Sequence, residues 1–323
     1  QTVDRYLELA KKSKDSLKMV ATPCIDDHQI SPEEFETKGV LSPIAARVVL
    51  KALYVARIGR MDFMWSVNML AREVTRWTAA CDRRLHRIIS YMHHTEKHAQ
   101  VCYVGDPPDK CCILMFCDAS FAGDLRDSKS TSGGVLCLVG PNTFVPLNWL
   151  CKKQGAVSHS TTEAEIIALD AGARMEALPA LILWDLVIEV FDPTPKPKET
   201  SLSLAERNLL HKQKYDMFGS IDYVPPSLPI TYGRAKLYLL EDNDAVIKMI
   251  TKERSPAMRH VTRTYRVDLD WLFEQINRDL SVFVKFIRTK EQLADILTRG
   301  SFTAEAWSTL LSLYMLLPIS QFQ

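Results

Sequence analysis

The chain has 323 residues, 47% hydrophobic and 24% charged, with 40 Lys and Arg against 39 Asp and Glu and a net charge of +1. That length can bury a substantial core and accommodates one to three domains. The near-neutral balance excludes a globally basic nucleic-acid-binding surface, so any electrostatic footprint must be local, and no apolar run reaches the ~18 residues needed to span a membrane.

Residues 1–40 are polar and mixed in charge, with a short helix expected at 4–18. Residues 42–58 are apolar and read as helical. Helical spacing at Leu70, Val74 and Trp77, and again at Leu85, Ile88, Ile89 and Met92, predicts two packed helices across 62–95. The cluster His93-His94-Thr95-Glu96-Lys97-His98 places His94 and His98 four apart, a spacing compatible with metal binding. It also falls where the preceding helix should end, which favours a polar turn. Gly105-Asp106-Pro107-Pro108-Asp109 breaks the chain, and the first domain boundary is expected there.

Strands are expected at 111–117, 133–139 and 144–151. A helix should follow from Ser160, with Ser160 or Thr161 as its N-cap. Pro179 should break or kink it, with a second helix at 179–191. Strand 236–241, a helix from about 244, strand 281–287, a helix at 290–298 and a packed helix in the tail 302–317 complete the reading. Three consecutive strands, a helix, then strand–helix alternation predict an α/β fold, a mixed sheet flanked by helices, behind a mainly helical N-terminal segment.

Four acids stand out. Asp118 ends the apolar run Cys111–Cys117, and Asp242 lies at the end of Leu237-Tyr238-Leu239-Leu240-Glu241. Glu163 opens the helical run Thr161–Leu169, and Asp295 sits in Gln292-Leu293-Ala294-Asp295-Ile296-Leu297. A carboxylate at the end of a buried strand is costly unless its charge is compensated. Converging carboxylates repel one another, and divalent cations are the usual remedy. The competing reading is four solvated surface acids. Glu165, two residues after Glu163, should point away from it on a helix. A stretch at 245–266 carries Lys248, Lys252, Arg254, Arg259, Arg263 and Arg266 against Glu253 alone, either a solvated helix face or a phosphate-contacting strip.

Around these acids the sequence resembles the ribonuclease H domain of copia-type (Ty1/copia) retrotransposon Pol polyproteins. The blocks run in order: Cys117-Asp118-Ala119-Ser120, Lys129-Ser130-Thr131-Ser132-Gly133-Gly134, Asn148-Trp149-Leu150-Cys151-Lys152-Lys153-Gln154, Ser160-Thr161-Thr162-Glu163-Ala164-Glu165, Glu241-Asp242-Asn243-Asp244-Ala245 and Gln292-Leu293-Ala294-Asp295-Ile296-Leu297-Thr298. Residues 19–95, through Ala21-Thr22-Pro23 and Arg84–Met92, resemble the segment after the polymerase active site of the same polyproteins.

The resemblance implies a ribonuclease H-like domain at 106–300, preceded by a reverse transcriptase remnant at 1–105 and followed by a helical tail at 301–323. Residues 192–235, rich in proline, depart from the family and read as an insertion, partly an exposed loop. Implied cofactors are two Mg²⁺ ions, with Mn²⁺ as a substitute. Asp118 would bridge both, Glu163 and Asp242 would complete one site, and Asp295 would serve the other. The implied substrate is an RNA–DNA hybrid and the implied partner the remainder of the Pol polyprotein. Asn243, Lys252, Arg259 and His260 are candidate nucleic-acid contacts, His260 read as packing or backbone contact rather than proton transfer.

A second hypothesis is a catalytically idle retroelement fragment acting as a binding or structural subunit of a larger assembly. A third, another nuclease or integrase of the same fold, lacks support from the Lys129–Gly134 and Leu293–Thr298 blocks. Polymerase activity is not expected, because residues 1–105 lack the paired-aspartate signature of a polymerase palm. Eight cysteines form no CxxC pair, and Cys111, Cys112, Cys117 and Cys137 lie in apolar runs, where cysteine behaves as a small hydrophobe. A reducing, intracellular location is expected. The start, Gln1-Thr2-Val3-Asp4-Arg5, has no signal-peptide core and no initiating Met, so a piece of something longer or a processed product is expected.

Overall fold

A computed structural model describes residues 1–123, 127–192, 234–253, 258, 260–265 and 267–322. These fall into two compact units, Gln1–Val101 with Ile296–Gln323, and Cys102–Asp295. No helix among the described residues is long and apolar enough to cross a membrane.

The first unit is mainly helical: α1 Thr2–Ala10, α2 Pro32–Glu36, α3 Ser42–Ile58, α4 Met64–Ala71, α5 Ala79–His94 and a last helix, Ala304–Leu313. α3 buries Ala45, Val48, Val49, Ala52 and Ala56, the i, i+3, i+4, i+7 stripe of an amphipathic helix. α5 buries Leu85, Ile88, Ile89 and Met92, as the spacing predicts. The helix expected at 4–18 stops at Ala10, because Lys11 adopts a left-handed cap at φ 53°. β1, His98–Gln100, pairs antiparallel with a final strand, Leu316–Pro318. That strand follows Met315, whose φ of 56° ends the helix expected to reach 317. Arg60 forks onto buried Asp62 through Nε at 3.0 Å and Nη2 at 2.8 Å, and Nη1 donates to the Thr95 carbonyl.

The second unit contains β2 Tyr103–Val104, β3 Cys112–Ser120, β4 Thr131–Gly140, β5 Thr143–Lys153, α6 Thr161–Gly172, α7 Leu178–Phe191, β6 Leu237–Glu241, α8 Asp244–Thr251, α9 Val261–Tyr265, α10 Leu269–Arg278 and β7 Val282–Phe286. The strands form one mixed sheet in the order β2-β5-β4-β3-β6-β7. β3, β4 and β5 are antiparallel neighbours. β6 and β7 run parallel to β3. Parallel neighbours need crossover connections, and α6–α7 and α8–α10 lie in those connections. Alternate residues of β3 and β6, Ile113, Met115, Cys117, Leu237 and Leu239, join Ile166, Leu169, Ile247 and Leu272 of the helices in one core. Gly172 lets α6 lie close to β3: a Cβ there would fall 2.7 Å from both Cys117 Sγ and Met115 Cε.

Between α6 and α7 the chain makes a π turn at Ala173–Ala177. Pro179 cannot donate to a helical carbonyl and its ring crowds the preceding turn, so the ladder widens before α7 resumes. The helix expected at 290–298 is instead two 3₁₀ turns, Thr289–Glu291 and Leu293–Leu297. Gln292 separates them: its Nε2 donates to the Cys117 carbonyl at 2.7 Å and its Oε1 accepts from the Ala294 N–H, a side chain competing with the helical ladder. The expected insertion at 192–235 lies outside the described residues except for Asp192, Arg234 and Ala235.

Candidate metal centre

Asp118 is near the C-terminal end of β3, opposite Gly133 of β4. On its other side Phe116 pairs with Leu240 of β6. Extending that parallel register by two residues sets Asp118 beside Asp242, on strands about 4.8 Å apart. Glu165 comes from the first half of α6. Ligand oxygens of Asp118, Glu165 and Asp242 all lie within 4.8 Å of one another. The site is thus at the carboxyl ends of adjacent parallel strands, where open α/β sheets generally place ligands.

Its electrostatics are those of an anion cluster. Burial pushes the Glu165 carboxyl up to about 11, reinforced by Glu241, Asp118 and Asp242. Glu241, fully buried next to Asp242, is also raised well above the ordinary value, by burial first and by Asp242 next. Oε2 of Glu165 and Oε2 of Glu241 are buried and accept no hydrogen bond from protein. Asp242 is steadied by Thr289, whose Oγ1 donates to Oδ2 at 2.9 Å. An all-oxygen set with an orphaned buried acceptor fits a hard divalent cation such as Mg²⁺ or Mn²⁺. Such an ion would satisfy the orphan and cancel the repulsion.

Glu163 does not belong to this group. It joins His159 and His260, with ligand atoms again within 4.8 Å of one another. The expectation that Glu163 completes the acidic set and Glu165 faces away is therefore reversed by the geometry. The reason is helical phase. Two residues turn an α-helix by about 200°, so only one of the two glutamates can face Asp118. Ser160 is the N-cap and its Oγ accepts the Glu163 N–H. The closest face of α6 to Ala119 carries Ala164 and Ala168.

Asp295 is buried but belongs to neither group. Its turn is nevertheless tied to the acidic site through Gln292 and the Cys117 carbonyl. Asn243 caps α8, its Oδ1 accepting from Ala245 and Val246, so its acceptor is already engaged. Lys248, Lys252 and Arg263 are exposed; Arg254, Arg259 and Arg266 lie outside the described residues. His260 Nε2 is 3.1 Å from Glu163 Oε2, a side-chain contact in place of the expected packing or backbone role. His94 and His98 join neither group, and His94 Nε2 meets the Leu17 carbonyl at 3.0 Å.

No family model matches the chain, and no solved structure matches it. Similarity to curated proteins is partial. The retrovirus-related Pol polyprotein from transposon RE1 of Arabidopsis thaliana is 29% identical over 157 residues, 49% of this chain and 10% of that protein. The chain is similar in part to retrotransposon Pol polyproteins. The corresponding polyprotein from transposon RE2 of the same plant is also 29% identical over 157 residues, again 10% of its length. An uncharacterized mitochondrial protein of Arabidopsis thaliana is 29% identical over 152 residues, 47% of this chain and 58% of that protein. The chain thus spans a tenth to somewhat over half the length of these relatives.

Proposed function

We propose that the unit Cys102–Asp295 is a ribonuclease H-like, metal-dependent phosphodiester hydrolase, and that its substrate is the RNA strand of an RNA–DNA hybrid. On this reading the chain is a segment of a copia-type Pol polyprotein, and its helical N-terminal part is the remnant of a reverse transcriptase. The observation that carries the proposal is the meeting of Asp118, Glu165 and Asp242 at parallel strand ends, with one buried Glu165 oxygen left unsatisfied. Partial similarity to retrotransposon Pol polyproteins supports the polyprotein context.

Asp118, Glu165 and Asp242 would hold the metal, and Asp295 is proposed to serve a second ion. When bound, a pair of divalent ions lowers the pKa of attacking water and neutralises charge on the leaving oxygen. The protein supplies rigidity. Asp118 is fixed by β-pairing on both sides of its strand, Asp242 is held by Thr289, and the Gln292 bridge locks the Asp295 turn against β3. Lys252 and Arg259 are proposed phosphate contacts, and Asn243 a neighbour of the substrate strand.

The test is cleavage of an end-labelled RNA–DNA hybrid, alongside duplex DNA and single-stranded RNA, with Mg²⁺, Mn²⁺ or chelator. Metal-dependent internal cuts in the RNA of the hybrid are expected, abolished by Asp118→Asn while the variant stays folded. Cleavage that persists in Asp118→Asn, or in chelator, would reject it. A folded wild-type chain that cuts nothing in either metal at low salt would favour the binding-subunit reading.

A further inference from the structure

The group His159, Glu163 and His260 has no part in the proposed hydrolysis, yet it is built like a binding site. Glu163 is 1% exposed and rises from the first turn of α6. Its Oε2 takes the His159 backbone N–H at 3.2 Å and lies 3.1 Å from His260 Nε2. Its other oxygen, Oε1, is buried without a hydrogen bond of good geometry; the nearby Tyr265 hydroxyl, which feels the Glu163 charge, donates to Ser158 Oγ at 3.4 Å. A buried carboxylate oxygen left bare is costly, and in native proteins such atoms call for an explanation such as an ion.

The two rings close over that carboxylate from different parts of the chain. His159 precedes the N-cap of α6, and His260 precedes α9. Their centroids are 5.3 Å apart at an interplanar angle of 72°, and one ring nitrogen of each comes within 4.8 Å of the other and of a Glu163 oxygen. His159 is exposed and the His260 side chain is 40% exposed. An ion therefore has a way in, and room remains for water as a further ligand.

We propose that His159, Glu163 and His260 form a separate site for one transition-metal dication of the zinc type. Two imidazoles and one carboxylate, with an open position, are a donor set that zinc accepts at about 2.0–2.2 Å per ligand. Imidazole selects such borderline ions, whereas carboxylate and water suit Mg²⁺. Binding at the triad would clamp the start of α6 to the chain entering α9. The ion would take one Glu163 oxygen together with one nitrogen from each ring.

The test titrates Zn²⁺ alone, as its chloride, into the full chain at neutral pH, read by calorimetry and by thermal shift, with Co²⁺ absorption reporting coordination. Wild type should bind one ion and melt at a higher temperature with it. His159→Gln, an exposed change that leaves the core untouched, should weaken binding by more than the roughly 10- to 100-fold typical of lost outer-shell partners. His260→Gln should do the same, and Asp118→Asn should leave Zn²⁺ affinity within a few-fold of wild type. Absence of saturable Zn²⁺ binding in wild type would overturn the proposal and leave Glu163–His260 as an ordinary side-chain contact. Equal affinity in His159→Gln would place the ion elsewhere, and loss in Asp118→Asn would place it in the acidic group. Either result also overturns it.

Discussion

Replacing Glu165 by Gln should stabilise the metal-free chain at pH 8 and leave it nearly unchanged at pH 5. Burial and the neighbouring Glu241, Asp118 and Asp242 push this carboxyl from an ordinary 4.5 up to about 11. The folded chain therefore keeps a proton that the unfolded chain gives up near its ordinary value. Above that value the native state binds more protons than the unfolded state, so stability falls as pH rises, through the whole window up to the raised pKa. Each pH unit is worth about 1.4 kcal/mol. From the ordinary value to pH 8 the limit is about 5 kcal/mol; to pH 5 it is about 0.7 kcal/mol. Gln is nearly isosteric and has no proton to hold, so it removes that cost. Urea denaturation in chelator at pH 5, 6, 7 and 8 measures the difference. The expected gain exceeds about 2 kcal/mol at pH 8 and falls below about 1 kcal/mol at pH 5. Saturating Mg²⁺ should flatten the wild-type pH dependence and leave the variant unchanged. Parallel pH profiles for the two chains in chelator, or a variant less stable than wild type at pH 8, would show that Glu165 does not hold a proton at a cost to the fold.

Arg60→Ala should cost about 3–5 kcal/mol, because it strands the fully buried Asp62 carboxylate without its guanidinium partner; chemical denaturation of the helical unit reads it. Gly172→Val should cost about 1–3 kcal/mol through overpacking against Cys117 and Met115, seen as a lower urea midpoint at unchanged slope. Lys252→Ala, at an exposed cation, should lower the salt slope of hybrid binding by about 1 without abolishing turnover; titrations at several salt concentrations decide it.

Much of the fold follows from local patterns. Helix 42–58 and the five longer strands of the sheet lie where apolar periodicity and turn residues put them. Ser160 caps α6 as its side chain and position require. α10 carries a helical signal too: Leu269, Leu272, Phe273 and Ile276 are buried at helical spacing. The two short edge pairings of β1 and β2 were not legible. Segments of three and two residues carry no periodicity, and their pairing depends on distant chain.

The acidic site shows the same division. Asp118 and Asp242 announce themselves as charges ending buried runs. The choice between Glu163 and Glu165 needed the phase of α6 against β3. One signal for it lay in the sequence. Ala164, Ala168 and Gly172 form a small-residue stripe, and at about 100° per residue its centre lies nearer to Glu165 than to Glu163. The triad of His159, Glu163 and His260 joins residues 97 positions apart in the chain, and no local pattern reveals such a contact.

The most direct test of the central claim compares Mg²⁺-dependent hybrid cleavage by wild type, Glu163→Gln and Glu165→Gln under identical conditions. Glu165→Gln should lose cleavage by about two orders of magnitude or more, whereas Glu163→Gln should stay within a few-fold of wild type. Loss in Glu163→Gln with Glu165→Gln active would contradict the assignment of Asp118, Glu165 and Asp242 as the metal centre.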